Sequence, residues 1–406
     1  MSIENRPPRR DLSIGNIVED PIDQTVELGA DVITPEERAA LEATLDFQHH
    51  PNSYAEKAWQ FVKPWLMNDP VKGLPAKQGA ERLAAHREQR RQLFQAIDRI
   101  RADSKMKRYI GQRQMDRFEV TMRNKTYTFM RPLGEGGFGT TFEALADADN
   151  RQCIVKCTPV NRDNVAMSRK AVMEVAVMRK LNGLHAPQLL DAQFVIDPNN
   201  DKQRMLMLAM TKVPGDNAWK DLEQSAKEPP EYILQRMHTL LLALRDIHQA
   251  GVLHLDLKPE HLFFSEDGMD VNFIDFGIAG LPDLAEAQSA SHVPNAPQYA
   301  VIEPGSNIGT NTYMAPEKVY DAKADVFAAG RVIHNFLYRS NAAEVDDRVA
   351  GFKTLSEPLK PLSRLAEKMI TPKPNERYDL NQAIAEFESL YPEYAQPDQV
   401  TTVASA

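Results

Sequence analysis

The chain has 406 residues, 42% of them hydrophobic and 26% charged, and carries a formal net charge of −9. That length allows roughly two or three folding units with a substantial core, and the composition excludes a wholly disordered or fibrous chain. The acidic balance argues against a surface shaped throughout for nucleic acid, so no nucleic-acid partner is expected. Its two cysteines, Cys153 and Cys157, cannot build a disulfide framework and read as reduced thiols in a reducing compartment. The first twenty residues contain no apolar run, so no cleaved secretory signal is expected. No stretch of roughly 18 apolar residues marks a membrane-spanning helix.

In chain order, residues 1–33 mix prolines, charges and isolated aliphatics without a period, and are expected to be a disordered leader. Residues 34–112 read as a helical extension. Thr34, Pro35 and Glu37 form a capping signal ahead of Ala39-Ala40-Leu41, and Ser53 with Glu56 repeats it before Trp59, Phe61 and Val62. From Gln78 to about Tyr109 helix breakers are few, and Leu83, Leu93, Phe94, Ile97 and Ile100 form a partial apolar stripe. This stretch is basic, with Arg87, Arg90, Arg91, Arg99 and Arg101 among its cations. A solvated face on a helix packed against the rest of the molecule is the favoured reading; regulation, docking or self-association through the extension stays open.

From residue 117 the texture changes. Arg117–Met122 and Lys125–Met130 alternate, carry β-branched or aromatic residues, and read as a hairpin. Gln152–Cys157 and Arg204–Met210 read as strands with the helix Ala166–Leu181 between them; helices then predominate, notably Tyr232–Gln249 and Ala324–Tyr338. Strands first and helices afterwards predict an α+β chain in two lobes. The boundaries fall at about 115–212 for the β-rich lobe and 213–392 for the helical one, with 393–406 a flexible tail.

Within this frame Leu133-Gly134-Glu135-Gly136-Gly137-Phe138-Gly139 sits between two strand-like runs. Glycines let backbone amides approach an anion closely, although such a loop alone is as well explained by a plain hairpin turn. Lys156 lies within an apolar strand, where an unpaired ammonium would be costly, and Glu174 lies on the inward side of the next helix. Further on come His254-Leu255-Asp256-Leu257-Lys258-Pro259-Glu260-His261-Leu262-Phe263 and Phe273-Ile274-Asp275-Phe276-Gly277. Two aspartates at the ends of short strands facing an anion loop suit phosphoryl transfer, one toward the attacking hydroxyl and one toward a magnesium ion.

Taken in order, these motifs resemble a eukaryotic-type (Hanks-type) serine/threonine protein kinase over about residues 115–392. The resemblance implies a bilobal protein-kinase fold with an N-terminal helical extension. It implies that Gly134, Gly136 and Gly139, with Gly137 and Phe138 at the tip, cover the phosphates of ATP. Lys156 and Glu174 match the strand lysine and its helix partner, Asp256 the catalytic base, Lys258 the loop lysine near the γ-phosphate, and Asp275 the metal-binding aspartate. Met314-Ala315-Pro316-Glu317 matches the close of the activation segment, Asp325 the buried aspartate of a long helix, and Arg377 the late arginine that pairs with Glu317. Met210 falls at the gatekeeper position; the backbones of Thr211 and Val213 would meet the adenine edge, Leu133 and Ile154 roof the ring, and Phe263 floor it. Thr310 would bridge Asp256 and Lys258.

Two positions depart from the family. Leu255 replaces an arginine that grips an activation-loop phosphate, which predicts activity largely independent of phosphorylation there, with Ser306 at the corresponding position. His261 replaces an asparagine ligand to the second metal; imidazole suits magnesium less well than an oxygen donor, so Mg2+ or a preference for Mn2+ are both open. The reading is an ATP-dependent kinase acting on serine and threonine of a protein substrate, autophosphorylation included. A pseudokinase scaffold and a kinase-fold adenylyltransferase are the alternatives. A kinase core on an unfamiliar helical N-terminus suggests a bacterial protein, cytoplasmic or delivered into a host as an effector.

Overall fold

The computed structural model describes residues 59–60, 62–63, 66, 76–102, 115–122, 125–136, 139–146, 150–160, 165–225, 227–281, 299–301, 312–317, 319–338 and 355–395. The expected leader 1–33, the capping signals at Thr34 and Ser53, the loop tip Gly137-Phe138, Ser306, Thr310 and most of the expected tail lie outside the described residues.

Helix α1 (Ala76–Ala102) precedes one six-stranded sheet. Its strands are β1 (Phe118–Met122), β2 (Lys125–Gly136), β3 (Gly139–Ala146), β4 (Arg151–Pro159), β5 (Leu189–Asp197) and β6 (Asn200–Thr211), with α2 (Val165–Leu181) between β4 and β5. They lie in the order β1-β2-β3-β4-β6-β5, every neighbouring pair antiparallel. The expected hairpin forms, with Val120 opposite Tyr127. β2 continues past it to Gly136, so the first half of the glycine-rich segment is paired strand, with Gly136 opposite Gly139.

Both faces of this sheet are covered. On β4, Cys153, Val155 and Cys157 belong to a buried cluster shared with Leu93, Phe94, Ile97 and Ile100 of α1. The alternate residue Ile154 packs on the opposite side, against the cluster that holds α2 residues Val172, Val175 and Ala176. β6 divides the same way, Met205, Met207 and Ala209 going toward α1 and Leu206, Leu208 and Met210 toward α2. A strand with two apolar faces reads as a nearly continuous hydrophobic run rather than as an alternation. The residues of α1 that face away, among them Arg87, Arg91 and Arg99, are exposed, so the solvated-face reading of its basic side holds for them.

Helices make up the second lobe: α3 (Ala218–Gln224), α4 (Pro230–Gln249), α5 (Ala322–Tyr338), α6 (Lys360–Met369) and α7 (Leu380–Leu390). Two small ribbons accompany them, β7 (Leu262–Phe264) with β8 (Val271–Phe273), and β9 (Tyr299–Val301) with β10 (Val319–Tyr320). Local signals set the helix ends: Pro230 opens α4, and Asp379 caps α7 by accepting from Gln382 N at 2.8 Å while Gln382 Oε1 accepts from Asp379 N at 2.9 Å. Leu240, Leu244 and Ile247 of α4 and Val332, Ile333 and Phe336 of α5 are fully buried in a core shared with Leu262 and Phe264 of β7 and Val271 and Phe273 of β8. Among the described residues no helix is long and apolar enough to cross a membrane.

Candidate active site

The site forms where loops around β7 and β8 meet β4 and α2. Lys156 projects from the cleft side of β4, and its Nζ donates to Glu174 Oε1 at 2.7 Å and Oε2 at 2.9 Å. The same ammonium donates to Asp275 Oδ1 at 2.9 Å, so one lysine ties strand, helix and loop together. Burial alone would push the Lys156 ammonium to release its proton, but Glu174 and Asp275 outweigh that and hold its pKa above that of an ordinary lysine. Burial pushes Glu174 upward against the restraint of Lys156; with both its oxygens accepting from Nζ we read the pair as ammonium and carboxylate. For Asp275 burial is likewise opposed, and the Lys156 ammonium carries the balance well below the usual carboxylate range.

Asp256 stands across from this group. Lys258 Nζ donates to its Oδ2 at 3.1 Å, and the Asp256 carbonyl accepts from His261 Nδ1 at 2.8 Å. Burial raises the pKa of Asp256 above the ordinary value, with Lys258 opposing. His254 connects the two aspartate loops: its Nε2 donates to Ile274 O at 3.1 Å while Nδ1 accepts from Asp256 N at 3.3 Å, a single neutral tautomer that burial enforces.

Leu255 and Asp275 both sit in the left-handed region, each with φ 62°, which a branched or charged L-residue seldom adopts. At Leu255 the compensation is visible. The fully buried Asp325 carboxylate accepts from His254 N at 2.8 Å, from Leu255 N at 2.7 Å and from His248 Nε2 at 2.9 Å. An anchor on α5 thus over-determines a strained turn, the usual circumstance at a working site. The Leu255 side chain packs with Met314, Ala315, Tyr320 and Phe327, an apolar seat where the sequence resemblance leads one to expect a guanidinium. Glu317, at the close of that segment, takes both guanidinium nitrogens of the buried Arg377 at 2.6 and 2.8 Å, the pairing expected from the sequence.

The glycines differ in what requires them. A Cβ on Gly139, whose φ is +128°, would lie 2.2 Å from Cys157 O, so the backbone itself demands glycine there. A Cβ on Gly134 would meet nothing within 4 Å. Among the described residues nothing excludes a side chain at Gly134. Ile154 is paired directly with Met210, which is 8% exposed. Thr211 N donates to Gln188 O at 2.9 Å, leaving its carbonyl as what Thr211 can offer a ring edge. On β7, Leu262 and Phe264 are buried while Phe263 between them is half-buried on the opposite face. Leu133 is half-buried on β2, and Val213 is half-buried just beyond β6.

The geometry therefore gathers six side chains in one cleft: hydrogen bonds join Lys156 to Glu174 and Asp275 and join Asp256 to Lys258 and His261, and His261 Nε2 approaches Asp275 Oδ2 to 3.6 Å. Sequence reading missed Lys170. It lies four residues before Glu174, half-buried; burial lowers its pKa while the charges of Asp275 and Asp256 pull the other way. The signal was there in the i, i+4 spacing, which puts both residues on one helix face.

Fold and cleft together define a class, a bilobal α+β kinase. A family model described as the protein kinase domain matches residues 127–387, and the chain belongs to that family. Among its relatives is the serine/threonine-protein kinase ULK3 of Xenopus laevis, 24% identical over 252 residues, covering 59% of this chain and 49% of that protein. Another is the mitogen-activated protein kinase HOG1 of Hortaea werneckii, 26% identical over 245 residues, 59% of this chain and 60% of that one. A third is the serine/threonine-protein kinase pkn3 of Myxococcus xanthus, 27% identical over 251 residues, 59% of this chain and 43% of that one. The chain spans about half the length of the ULK3 relatives it matches. Membership in the family implies use of ATP and a divalent metal in general terms.

Proposed function

We propose that this chain transfers the γ-phosphoryl group of ATP to serine and threonine hydroxyls of a protein substrate, itself included. The observation that carries the reading is the lysine shared between Glu174 and Asp275, with the Asp256–Lys258 pair alongside. In this reading Lys156, held charged and in place, meets the nucleotide phosphates, and the backbone of Gly134 to Gly139 lies over them. Leu133, Ile154, Met210 and Phe263 enclose the adenine, whose edge meets the Thr211 carbonyl and the Val213 backbone. Asp256 accepts or orients the proton of the attacking hydroxyl; its raised pKa makes it a better base than a solvated aspartate. Lys258 offsets charge at the transferred group. Thr310, at the position that would bridge Asp256 and Lys258, is proposed to orient that pair.

Asp275 and His261 fit a divalent cation. With Nδ1 donating to the Asp256 carbonyl, neutral His261 turns the lone pair of Nε2 toward Asp275 Oδ2, 3.6 Å away, and two acceptors so placed can share a cation. Among the described residues no group of three or more His, Cys, Asp and Glu forms a complete metal centre, so phosphate oxygens would complete the coordination. A bound divalent ion would supply charge neutralisation at the phosphates. The nitrogen donor favours Mn2+ over Mg2+ relative to an all-oxygen site. The apolar seat of Leu255 supports a segment held by packing rather than by a phosphate, so Ser306→Ala should leave turnover within about twofold. We place the reaction in the cytoplasm, where the free, buried thiols of Cys153 and Cys157 stay reduced.

The test is to follow transfer from ATP to protein in Mg2+ and in Mn2+, then identify the modified amino acids. Label on serine and threonine, with faster turnover in Mn2+, is expected. Label on tyrosine would overturn the substrate class, and equal rates in the two metals would remove the role given to His261.

A further inference from the structure

The basic N-terminal helix does more than cover the sheet. Near its C-terminal end Arg101 Nε donates to Glu135 Oε1 at 3.1 Å, and Glu135 lies between the first two glycines of the phosphate-facing segment. The second oxygen of that carboxylate accepts from the hydroxyl of Thr140, the residue opposite Glu135 on β3. The Glu135 side chain is 9% exposed and that of Arg101 35%, so the carboxylate is largely withdrawn from water and depends on these partners. The helix that carries Arg101 is pinned to the sheet. Leu93, Phe94, Ile97 and Ile100 lock the preceding turns into the outer cluster of the sheet, and Gln89 Oε1 accepts from Thr121 N at 3.0 Å. Trp59, upstream, meets Phe194 of β5 edge to face at 6.1 Å and is buried in the cluster that contains α2.

We propose that Arg101 is a positioning residue: it acts through Glu135 to hold the glycine-rich segment in its nucleotide-ready conformation, so that α1 is a built-in part of the ATP site. The inference rests on the proposed nucleotide role of Gly134 to Gly139, and it deepens that role. Thr141, next to the Thr140 that shares Glu135, is paired with Lys156, so the contact reaches the phosphate-facing lysine through a single strand register. The direction of the effect follows from where the contact sits. It constrains the segment over the phosphates and touches none of the groups assigned to proton transfer, so its loss should weaken nucleotide binding and spare the chemical step.

The experiment compares the full-length chain with Arg101→Ala, Arg101→Lys, Glu135→Ala, the double variant Arg101→Ala/Glu135→Ala, and Arg91→Ala as a control. Arg91 pairs with Glu88 on the same helix, and both are about half exposed. Affinity for a non-hydrolysable ATP analogue is measured by calorimetry, and KM for ATP and kcat by transfer. Arg101→Ala should raise the analogue Kd and the KM by roughly three- to tenfold with kcat held within about twofold. Arg101→Lys should restore most of that, Arg91→Ala should match wild type, and the double variant should be no weaker than Glu135→Ala alone, because the two residues act as one unit. Arg101→Ala behaving like Arg91→Ala, or the two single effects multiplying in the double variant, overturns the inference while leaving the kinase reading intact. A wild-type chain that transfers nothing but shows the same affinity pattern would sink the kinase reading and leave the role of Arg101 standing. If the wild type binds no analogue, both fall.

Discussion

The two faces of the six-stranded sheet are built from the same strands and obey different rules. On the cleft face Lys156 follows Ile154 two residues on, and the energy lies in a few charges whose partners stand at 2.7 to 2.9 Å. On the outer face, Cys153, Val155 and Cys157 meet the aliphatic stripe of α1, and the energy is spread over many interchangeable apolar contacts. The comparison teaches that chemistry concentrates and packing distributes. A change on the first face should be large and rescued only by its specific partner; a change on the second should scale with the volume removed.

The sharpest break is Lys156→Met. It strands the carboxylates of Glu174 and Asp275 in a buried site, and we expect a loss of about 3–5 kcal/mol in urea unfolding. Adding Glu174→Gln should recover a good part of that stability while transfer stays abolished. If the double variant is no more stable than the single one, the coupling is wrong. The outer face predicts a different pattern. Ile97→Ala opens a cavity under α1 and should cost about 2–5 kcal/mol, with turnover at low temperature close to wild type and no single second-site change that restores it. A loss of turnover without loss of stability would show that this face, too, is chemical.

A smaller effect belongs to the seam between the lobes. His185, in the segment after α2, faces Asp246 of α4 through Nε2 at 3.3 Å and Asp270 through Nδ1 at 3.2 Å. Burial would lower its pKa, yet the two carboxylates outweigh that and raise it to about 9. A folded pKa above the unfolded value of 6.5 means that the stabilisation is complete below about 6.5 and fades as pH rises through about 9. Unfolding free energy should therefore fall by roughly 1–3 kcal/mol across that window and do so much less in His185→Gln, read by denaturant titration at several pH values.

What the sequence disclosed follows the same division. Charged and glycine positions at fixed spacing are legible: the structure brings Lys156, Glu174 and Asp275 together, sets Asp256 beside Lys258 and pairs Glu317 with Arg377, and the α+β division into a sheet lobe and a helical lobe holds. β5 was not recognised. Its run Leu189-Leu190-Asp191-Ala192-Gln193-Phe194-Val195-Ile196-Asp197 buries both faces and also buries Asp191 and Gln193, so neither an alternation nor a clean apolar run marks it. The stripe of α1 is legible but its target is not, because five aliphatic or aromatic residues at helical spacing fit any apolar surface. For the same reason the segment reads as a separate extension although it shares a core with the sheet. The left-handed turn at Leu255 carries no local signal at all; it exists because Asp325, seventy residues later, holds it.

In the proposed reaction Lys156, Asp256 and Asp275 act together on one nucleotide to move its terminal phosphoryl group. Parallel incubations with ATP labelled at the γ or at the α phosphorus, in wild type and in Asp256→Ala, test it most directly. Protein-bound label is expected from γ-labelled ATP only, falling by about 10²- to 10⁴-fold in Asp256→Ala. Label arriving from the α position, or γ-label undiminished by the loss of Asp256, would contradict it.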